Sequence, residues 1–310
     1  MNPVFLIGAE RSGTTLLRLM LDGHPQVAWL NEFEYAVDHI DSTDDWPDIG
    51  SYVEWLGTHR IFNATGFTVD RSLDYPSLVK SFLVQKQQRD QKPVIGATCH
   101  RHYDRLRRIF PQAKFIYLLR DPRDVARSNI GMGWAGNVWY GVERWIEAER
   151  LWQQVKVSIA DTDYIELRYE ALIATPEQTL TTISNFMGLN YDPQMLNYPA
   201  RTTYSAPDPT LTEQWRRKLT PHELELVEYR AGELMGARGY GLASNSHSKP
   251  SSLELSFLAI QNKLYKIRFR IDRFGWSLFV SEFWARKLKL KGWEKMLRLR
   301  MNAIAEKHLK

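Results

Sequence analysis

Basic and hydroxyl side chains are concentrated in two short segments whose spacing suits anion binding. In the first, Gly8 and Gly13 enclose an arginine and a serine, and two threonines follow. In the second, Ser128 follows Arg120 by eight residues. A planar guanidinium binds phosphate at two points, and hydroxyl groups add hydrogen-bond donors. The sequence therefore predicts two anion sites, which suits a ligand with an anionic group at each end.

The elements around the first segment would present it to a ligand. Val4–Ile7 is an all-apolar run typical of a strand buried on both faces, and residues 16–21 begin a helical pattern that His24 and Pro25 end. A loop between a strand and a helix N-terminus leaves unpaired backbone N–H groups and the positive helix end facing an incoming anion. Residues 8–15 are therefore predicted to form a phosphate-binding loop.

This loop differs at one position from that of the nucleotide triphosphatases. Their pattern is G-x-x-x-x-G-K-[ST], in which the lysine reaches the β- and γ-phosphates. Here the glycine spacing is kept, but Thr14 stands at the position of the lysine. A loop with hydroxyl groups and Arg11 favours a different anion from the triphosphate of ATP.

Residues 11–15 read Arg-Ser-Gly-Thr-Thr and resemble the 5′-phosphosulfate loop of sulfotransferases that use 3′-phosphoadenosine 5′-phosphosulfate (PAPS). The second segment is also similar, because PAPS enzymes hold the 3′-phosphate with an arginine after a strand and a serine eight residues later. The resemblance, to bacterial enzymes related in motif to tyrosyl-protein and carbohydrate sulfotransferases, spans about residues 3–241. It implies PAPS as co-substrate, no metal, and these PAPS-binding residues: Arg11, Ser12, Gly13, Thr14, Thr15, Arg120, Ser128 and Tyr169.

Glu32 is the residue for which the resemblance implies the role of general base. It follows a short apolar run at residues 27–30, and the carboxyl ends of parallel strands are where ligands bind. Tyrosyl-protein and related sulfotransferases carry a catalytic glutamate at the same offset from an H-P-x-V segment. Glu32 would take the proton from an acceptor hydroxyl. Glu34 is the alternative base, and a solvated loop carboxylate is the alternative interpretation of Glu32.

One feature of the bacterial relatives is missing. They carry a lysine two residues after a strand glycine, thought to hold the bridging oxygen or the sulfuryl group, but Gly96 is followed here by Ala97 and Thr98. We expect His100 to supply the positive charge instead, with Arg101 or His102 as alternatives.

The predicted catalytic set is therefore Glu32, Arg11 and His100. A metal site formed by Cys99, His100 and His102 is disfavoured, because structural metal sites have four ligands and the sequence offers no suitably spaced fourth.

The predicted fold class is α/β, a P-loop three-layer fold with a central parallel sheet of about five strands and helices on both faces. Handed βαβ connections make that arrangement the default. The strands are expected at residues 4–7, 27–30, 94–98, 115–119 and 164–167. A basic helical C-terminal extension is expected to follow.

Charge divides the chain of 310 residues, whose net charge is +5. Residues 249–310 hold 15 Lys and Arg against 5 Asp and Glu, which leaves a net charge of −5 on the first 248 residues. We predict a sulfotransferase domain at 1–243, a polar linker at 244–252 and a basic amphipathic tail at 253–310. The interleaved aromatic and basic residues of the tail suit an anionic membrane surface.

Two alternatives to membrane binding remain for the tail: its helices could pack on the main domain, or they could pack on a second subunit, with solvated basic faces in either case. Nucleic acid binding is disfavoured, because the sequence contains no groove-reading module.

Composition and processing signals indicate the compartment. The single cysteine, Cys99, excludes an internal disulfide framework and fits a reducing environment. No basic segment of the signal-peptide type precedes Val4, and no uncharged stretch is long enough to span a membrane. We therefore expect a cytoplasmic protein, peripheral on the inner membrane face through its tail.

The predicted activity is transfer of a sulfuryl group from PAPS to a hydroxyl or amine of an unidentified acceptor. A carbohydrate or glycolipid would suit a membrane-facing tail. Two rivals remain: a P-loop kinase or nucleotidase that uses ATP, and a PAPS-binding protein whose activity was impaired by the loss of the lysine at Thr98. The oligomeric state stays open.

Overall fold

The predicted five-stranded parallel sheet is confirmed. The computed structural model describes residues 2–41, 45–244 and 248–306. Within them the strands of the sheet are β1 (Val4–Ile7), β2 (Val27–Glu32), β3 (Val94–Cys99), β4 (Lys114–Leu119) and β5 (Tyr164–Arg168). Their order in the sheet is β2-β3-β1-β4-β5, and all the pairs are parallel.

The central strands are buried on both faces, which explains their unbroken apolar sequence. In β1, Phe5 and Ile7 point into one hydrophobic core, and Val4 and Leu6 point into the other. Successive side chains of a strand alternate between the two faces, so both faces need apolar residues here. The strands therefore form the middle layer of the predicted three-layer arrangement.

Helices cover both faces of this sheet. The helices of the main domain are α1 (Thr14–Asp22), α2 (Ile49–Leu56), α3 (Arg60–Thr65), α4 (Tyr75–Asp90), α5 (Leu106–Ile109), α6 (Pro122–Gly131), α7 (Val138–Gly141), α8 (Glu143–Lys156), α9 (Tyr169–Ala174), α10 (Pro176–Phe186), α11 (Trp215–Lys218) and α12 (Pro221–Ala237). The core on one face of the sheet includes residues of α1, α9 and α10, and the core on the other face includes residues of α4, α8 and α12.

The C-terminal extension is helical, as predicted. It consists of α13 (Ser252–Phe274), α14 (Trp276–Lys287) and α15 (Lys291–Glu306). Gly275 separates α13 from α14 with a φ of 82°, a conformation that favours glycine. Residues 245–247 of the predicted linker and 307–310 of the predicted tail lie outside the described residues. None of the described helices combines the length and apolarity needed to cross a membrane.

The strand order brings the two predicted anion segments together. The loop that follows β1 and the arginine that follows β4 lie at the same edge, because β1 and β4 are paired neighbours. The residues predicted from the sequence lie along this edge in the order of the strands. They are Glu32 at the end of β2, His100 after β3, residues 8–15 after β1, Arg120 after β4 and Tyr169 after β5.

Candidate active site at the strand carboxyl ends

The phosphate-binding loop requires glycine at both of its ends. A Cβ on Gly8 would lie 2.5 Å from the carbonyl oxygen of Leu118, and one on Gly13 would lie 2.2 Å from Cδ2 of Tyr169. Both glycines have positive φ, at 144° and 93°. Gly13 is the N-cap of α1, and no side chain of the described residues caps this terminus. The first-turn N–H groups of α1 therefore remain available to an anion.

Arg11 connects the two predicted anion segments. Its Nε donates a hydrogen bond to Oγ of Ser128 over 2.9 Å. Burial, together with the nearby charge of Arg120, lowers the pKa of Arg11. The resemblance implied that Arg11 holds the 5′-phosphosulfate and acts in catalysis. In the structure its guanidinium contacts Ser128, which the resemblance assigned to the 3′-phosphate.

Arg120 is positioned by groups on several sides. Its guanidinium carbon lies 4.2 Å from the ring centroid of Tyr169, and its two terminal nitrogens donate to the carbonyl oxygens of Arg11 and Leu211 at 3.2 and 2.7 Å. Asp124 forms an ion pair with it at 3.6 Å. The Nε of Arg120 is buried and has no hydrogen-bond partner. A buried donor without a partner carries a free-energy cost that a bound anion would relieve.

A cavity of about 910 Å³ joins these groups. Most of the residues predicted to bind PAPS line it: Arg11, Gly13, Thr14, Thr15, Arg120, Ser128 and Tyr169. Ser12 does not line the cavity, but its buried Oγ has no hydrogen-bond partner. The unpartnered donors and the basic lining fit a nucleotide that carries two phosphate groups.

Sequence reasoning missed part of this cavity. Arg127 and Lys218 also line it, so the lining contains four basic residues and two acidic ones, Asp124 and Asp208. The segment 203–208 forms another part of the lining. It belongs to an irregular run with four prolines, residues 190–212, so no period or motif indicated which of its residues would meet a ligand.

His100 is held between the phosphate-binding loop and a buried carboxylate. Its backbone N and Nδ1 lie 2.9 and 2.7 Å from Oε1 of Glu34, and its Nε2 lies 2.9 Å from Oγ1 of Thr14. Desolvation opposes the charged imidazole, but the hydrogen bond and charge of Glu34 prevail and raise the pKa of His100. Although burial opposes its ionisation, the contacts with His100 lower the pKa of Glu34.

This arrangement favours an imidazolium paired with a carboxylate. Nδ1–H then donates to Glu34, and Nε2–H donates to the hydroxyl oxygen of Thr14, which keeps its own proton for another acceptor. Thr14 stands where the triphosphatase lysine would be, so the imidazole of His100 lies one hydrogen bond behind that position.

The other residues considered for that charge are placed differently. Arg101 forms a two-point ion pair with Asp38, at 2.8 and 2.7 Å. Thr98 is buried, and its Oγ1 accepts a hydrogen bond from Nε1 of Trp29 at 3.1 Å. Burial lowers the pKa of His102, which disfavours its charged form. No group of three or more His, Cys, Asp or Glu side chains among the described residues could hold a metal ion.

Glu32 ends β2 and has an exposed side chain. A register shift between Leu30 and Glu32 pairs it with Thr98 of β3. Desolvation by the surrounding protein, followed by repulsion from Glu34, raises the pKa of Glu32. An accessible carboxyl with a raised pKa has the properties of a general base. Glu34, the alternative base, is buried and bound to His100.

The sequence comparison identifies the family. A model described as the sulfotransferase family matches residues 3–193. The chain belongs to the sulfotransferase family. Over 207 residues it is 26% identical to protein-tyrosine sulfotransferase 2 of Gallus gallus, a match that covers 63% of this chain and 53% of that protein. The chain therefore spans about half the length of the first of its curated relatives.

Another relative is similar over more of its length. The omega-hydroxy-beta-dihydromenaquinone-9 sulfotransferase Stf3 of Mycobacterium bovis is 24% identical over 293 residues, covering 73% of this chain and 74% of the relative.

Solved structures agree on the fold. The sulfotransferase domain of the curacin biosynthetic pathway superimposes with a TM-score of 0.54 at 18% identity, covering 78% of this chain and 99% of that one. The sulfotransferase domain of the Synechococcus PCC 7002 olefin synthase gives a TM-score of 0.51 at 22% identity, with 74% and 95% covered.

Proposed function

We propose that this protein transfers a sulfuryl group from PAPS to a hydroxyl group of an acceptor. The observation that carries the proposal is the Arg11–Ser128 hydrogen bond, which joins the phosphate-binding loop and the second anion segment in one basic cavity. A single phosphate would need only one of these segments. Membership of the sulfotransferase family supports the same assignment.

Residues of this chain would divide the nucleotide between them. Ser12, Thr14, Thr15 and the first-turn N–H groups of α1 would hold the 5′-phosphosulfate. Arg120, Ser128 and Arg11 would hold the 3′-phosphate, with Arg11 assigned here because its guanidinium lies against Ser128. The ring of Tyr169, packed against Gly13 and Arg120, would meet the adenine.

PAPS bound in this cavity would supply the sulfuryl group. The sulfur–oxygen bond to the 5′-phosphate breaks, a new one forms to the acceptor oxygen, and Glu32 takes the proton of the acceptor hydroxyl. Such transfer resembles phosphoryl transfer, where positioning and charge stabilisation dominate. The charged His100 would stabilise the developing negative charge through the hydroxyl of Thr14, in place of the lysine that the bacterial relatives carry.

The acceptor is proposed as an alcohol or phenol. Two of the relatives are named for tyrosine and for an omega-hydroxy dihydromenaquinone, both of which carry hydroxyl groups. A carbohydrate or glycolipid acceptor, and an amine acceptor, remain predictions from the sequence.

Calorimetric titration tests the nucleotide assignment. We expect 3′-phosphoadenosine 5′-phosphate to bind at least about tenfold more tightly than adenosine 5′-phosphate, because only the former reaches Arg120 and Ser128. ATP should bind more weakly than 3′-phosphoadenosine 5′-phosphate. Tighter binding of ATP would instead support the kinase or nucleotidase alternative.

Transfer of labelled sulfate from PAPS to a panel of phenols, sterols, sugars and lipids tests the catalytic step. Labelled product from any hydroxyl acceptor supports the proposal. Nucleotide binding without transfer to any member of the panel would instead support the catalytically impaired alternative.

A further inference from the structure

Helix α13, the first helix of the C-terminal extension, packs on the main domain through one of its faces. Asn137 donates hydrogen bonds to the carbonyl oxygen of Leu258 and to Oε1 of Gln261, at 2.8 and 2.9 Å. Oδ1 of Asn262 accepts from the backbone N–H of Gly136 at 2.7 Å, and the hydroxyl of Tyr265 donates to the carbonyl of residue 130 at 3.1 Å. These contacts fix the orientation of α13 relative to the domain.

A second face of α13 is apolar and exposed. Leu253, Phe257, Ile260 and Leu264 are spaced by four, three and four residues, so they lie on one side of the helix. We call these four residues the apolar stripe. Leu253 is 84% exposed and Phe257 is 65% exposed. The docking residues lie on a different face, so packing on the domain does not cover the stripe.

Exposed apolar residues are concentrated in this part of the molecule. Among the described residues, twelve of the seventeen exposed large apolar side chains belong to residues 253–299. Besides the stripe, they include Trp276, Phe283, Trp284 and Trp293. A concentration of exposed apolar side chains of this kind marks an interaction site.

Charge indicates what covers this surface. Residues 249–310 contain 15 basic and 5 acidic residues. At about 100° per residue, Lys263 and Arg268 fall on either side of the apolar stripe. Lysines and arginines beside apolar and aromatic side chains suit a bilayer with anionic headgroups, where the amines meet phosphates and the aromatic rings enter the interface. Two tails of this chain facing each other would bring like charges together.

We propose that the apolar stripe of α13 and its basic neighbours dock this protein on an anionic membrane surface. The location fits an enzyme that meets a membrane-resident substrate, because α13 contacts residue 130, which also lines the nucleotide cavity. The docking itself does not depend on the proposed sulfuryl transfer, so it can be tested without activity.

Flotation of the full chain with lipid vesicles tests the docking. We expect the protein to float with vesicles of phosphatidylcholine and phosphatidylglycerol, to float poorly with phosphatidylcholine alone, and to be released by salt, because screening weakens headgroup attraction. No flotation with the anionic vesicles would overturn the proposal.

A matched pair of variants separates the stripe from a general effect of charge. F257E/I260E should reduce partitioning to anionic vesicles by about tenfold or more, because it removes apolar area and adds repulsion. Val157 is 87% exposed on the main domain, so V157E serves as the control and should partition like the wild type. Circular dichroism and thermal unfolding would show that all three proteins are folded.

The alternative occupant is a second copy of the chain. Light scattering of the wild type should report a monomer in the absence of vesicles. A dimer that F257E/I260E dissociates, with vesicle binding unchanged, would assign the stripe to self-association and overturn membrane docking.

Discussion

Arg11 and Ser128 are 117 residues apart in the sequence, and a hydrogen bond of 2.9 Å joins their side chains. The contact exists because β1 and β4 are adjacent, so the loop after β1 and the helix after β4 open at the same edge of the sheet. It makes one site from two motifs. The first two predictions test that site with the nucleotide alone.

Arg120→Ala should weaken binding of 3′-phosphoadenosine 5′-phosphate by about 10- to 100-fold, because a charge-assisted pair of hydrogen bonds is lost. Calorimetry measures the affinity, and a thermal melt reports the fold. Arg216→Ala is the control, since that exposed arginine pairs with Glu213 outside the cavity lining. Equal affinity of wild type and Arg120→Ala would remove Arg120 from the site.

Ser128→Ala should act only on ligands that carry a 3′-phosphate. We expect the affinity for 3′-phosphoadenosine 5′-phosphate to fall several-fold, because a hydroxyl donor is lost and Arg11 loses its partner. The affinity for adenosine 5′-phosphate should stay the same. A parallel loss for both nucleotides would mean that Ser128 supports the loop rather than the 3′-phosphate.

Glu32→Gln should reduce turnover by about 100-fold or more while nucleotide affinity stays unchanged, because a general base contributes on that scale. The pKa of Glu32 is raised by desolvation and by Glu34, so the base is lost at a higher pH than for an ordinary glutamate. The wild-type rate should therefore fall as pH decreases through this raised value.

The pH profile distinguishes a base from a structural carboxylate. Glu32→Gln should lack the acidic limb, and the exposed Glu54→Gln, on α2, should keep the wild-type profile. If Glu32→Gln retains the limb, another group acts as the base.

Glu34→Gln should remove the ion pair between the Glu34 carboxylate and the imidazole of His100. The carboxylate raises the pKa of His100 against the effect of desolvation, so its removal should lower that pKa, which NMR titration of the imidazole measures. Turnover should also fall, because the charged form of His100 is then less favoured. An unchanged His100 pKa would contradict the pairing.

The same variant should lose stability in a defined pH window. Folding lowers the pKa of Glu34, so the ionised carboxylate stabilises the folded protein above the pKa of an unfolded glutamate, and this stability is lost as pH falls through the folded pKa. Folding raises the pKa of His100, so the charged imidazole stabilises the folded protein below the pKa of an unfolded histidine, and this stability is lost as pH rises through the folded pKa. The loss in Glu34→Gln should therefore be largest between about pH 4.3 and 6.5, and up to about 3 kcal/mol. Urea unfolding at several pH values measures it.

Thr98→Lys should not restore the lysine of the bacterial relatives. Thr98 is buried and accepts a hydrogen bond from Trp29, so a lysine there would place an unpaired ammonium in the core. We expect a loss of about 3–5 kcal/mol in the free energy of unfolding. Thr98→Val, which removes only the hydrogen bond, should cost about 1–2 kcal/mol. Higher turnover of a stable Thr98→Lys protein would contradict this placement.

The sequence by itself determined the strands, the phosphate-binding loop and the residues at its edge. Apolar runs such as Val4–Ile7 are local signals, and so are Gly8 and Gly13, whose positions fix the path of the loop backbone. Local patterns are readable because they depend on neighbours in the chain. The order of the strands is not local, and pairing of β1 with β4 had to come from the packed sheet.

Tertiary structure decided which side chains meet at the strand ends. The sequence grouped Arg11 with the phosphate-binding loop, and packing also brings its guanidinium to Ser128. It offered Glu34 as a base, whereas burial binds that carboxylate to His100. It could not assign residues 203–208 to the cavity, because that segment has neither a period nor a motif. Long side chains reach across several ångströms, so their partners depend on which strand ends are neighbours. The strand order of the folded sheet determines those neighbours.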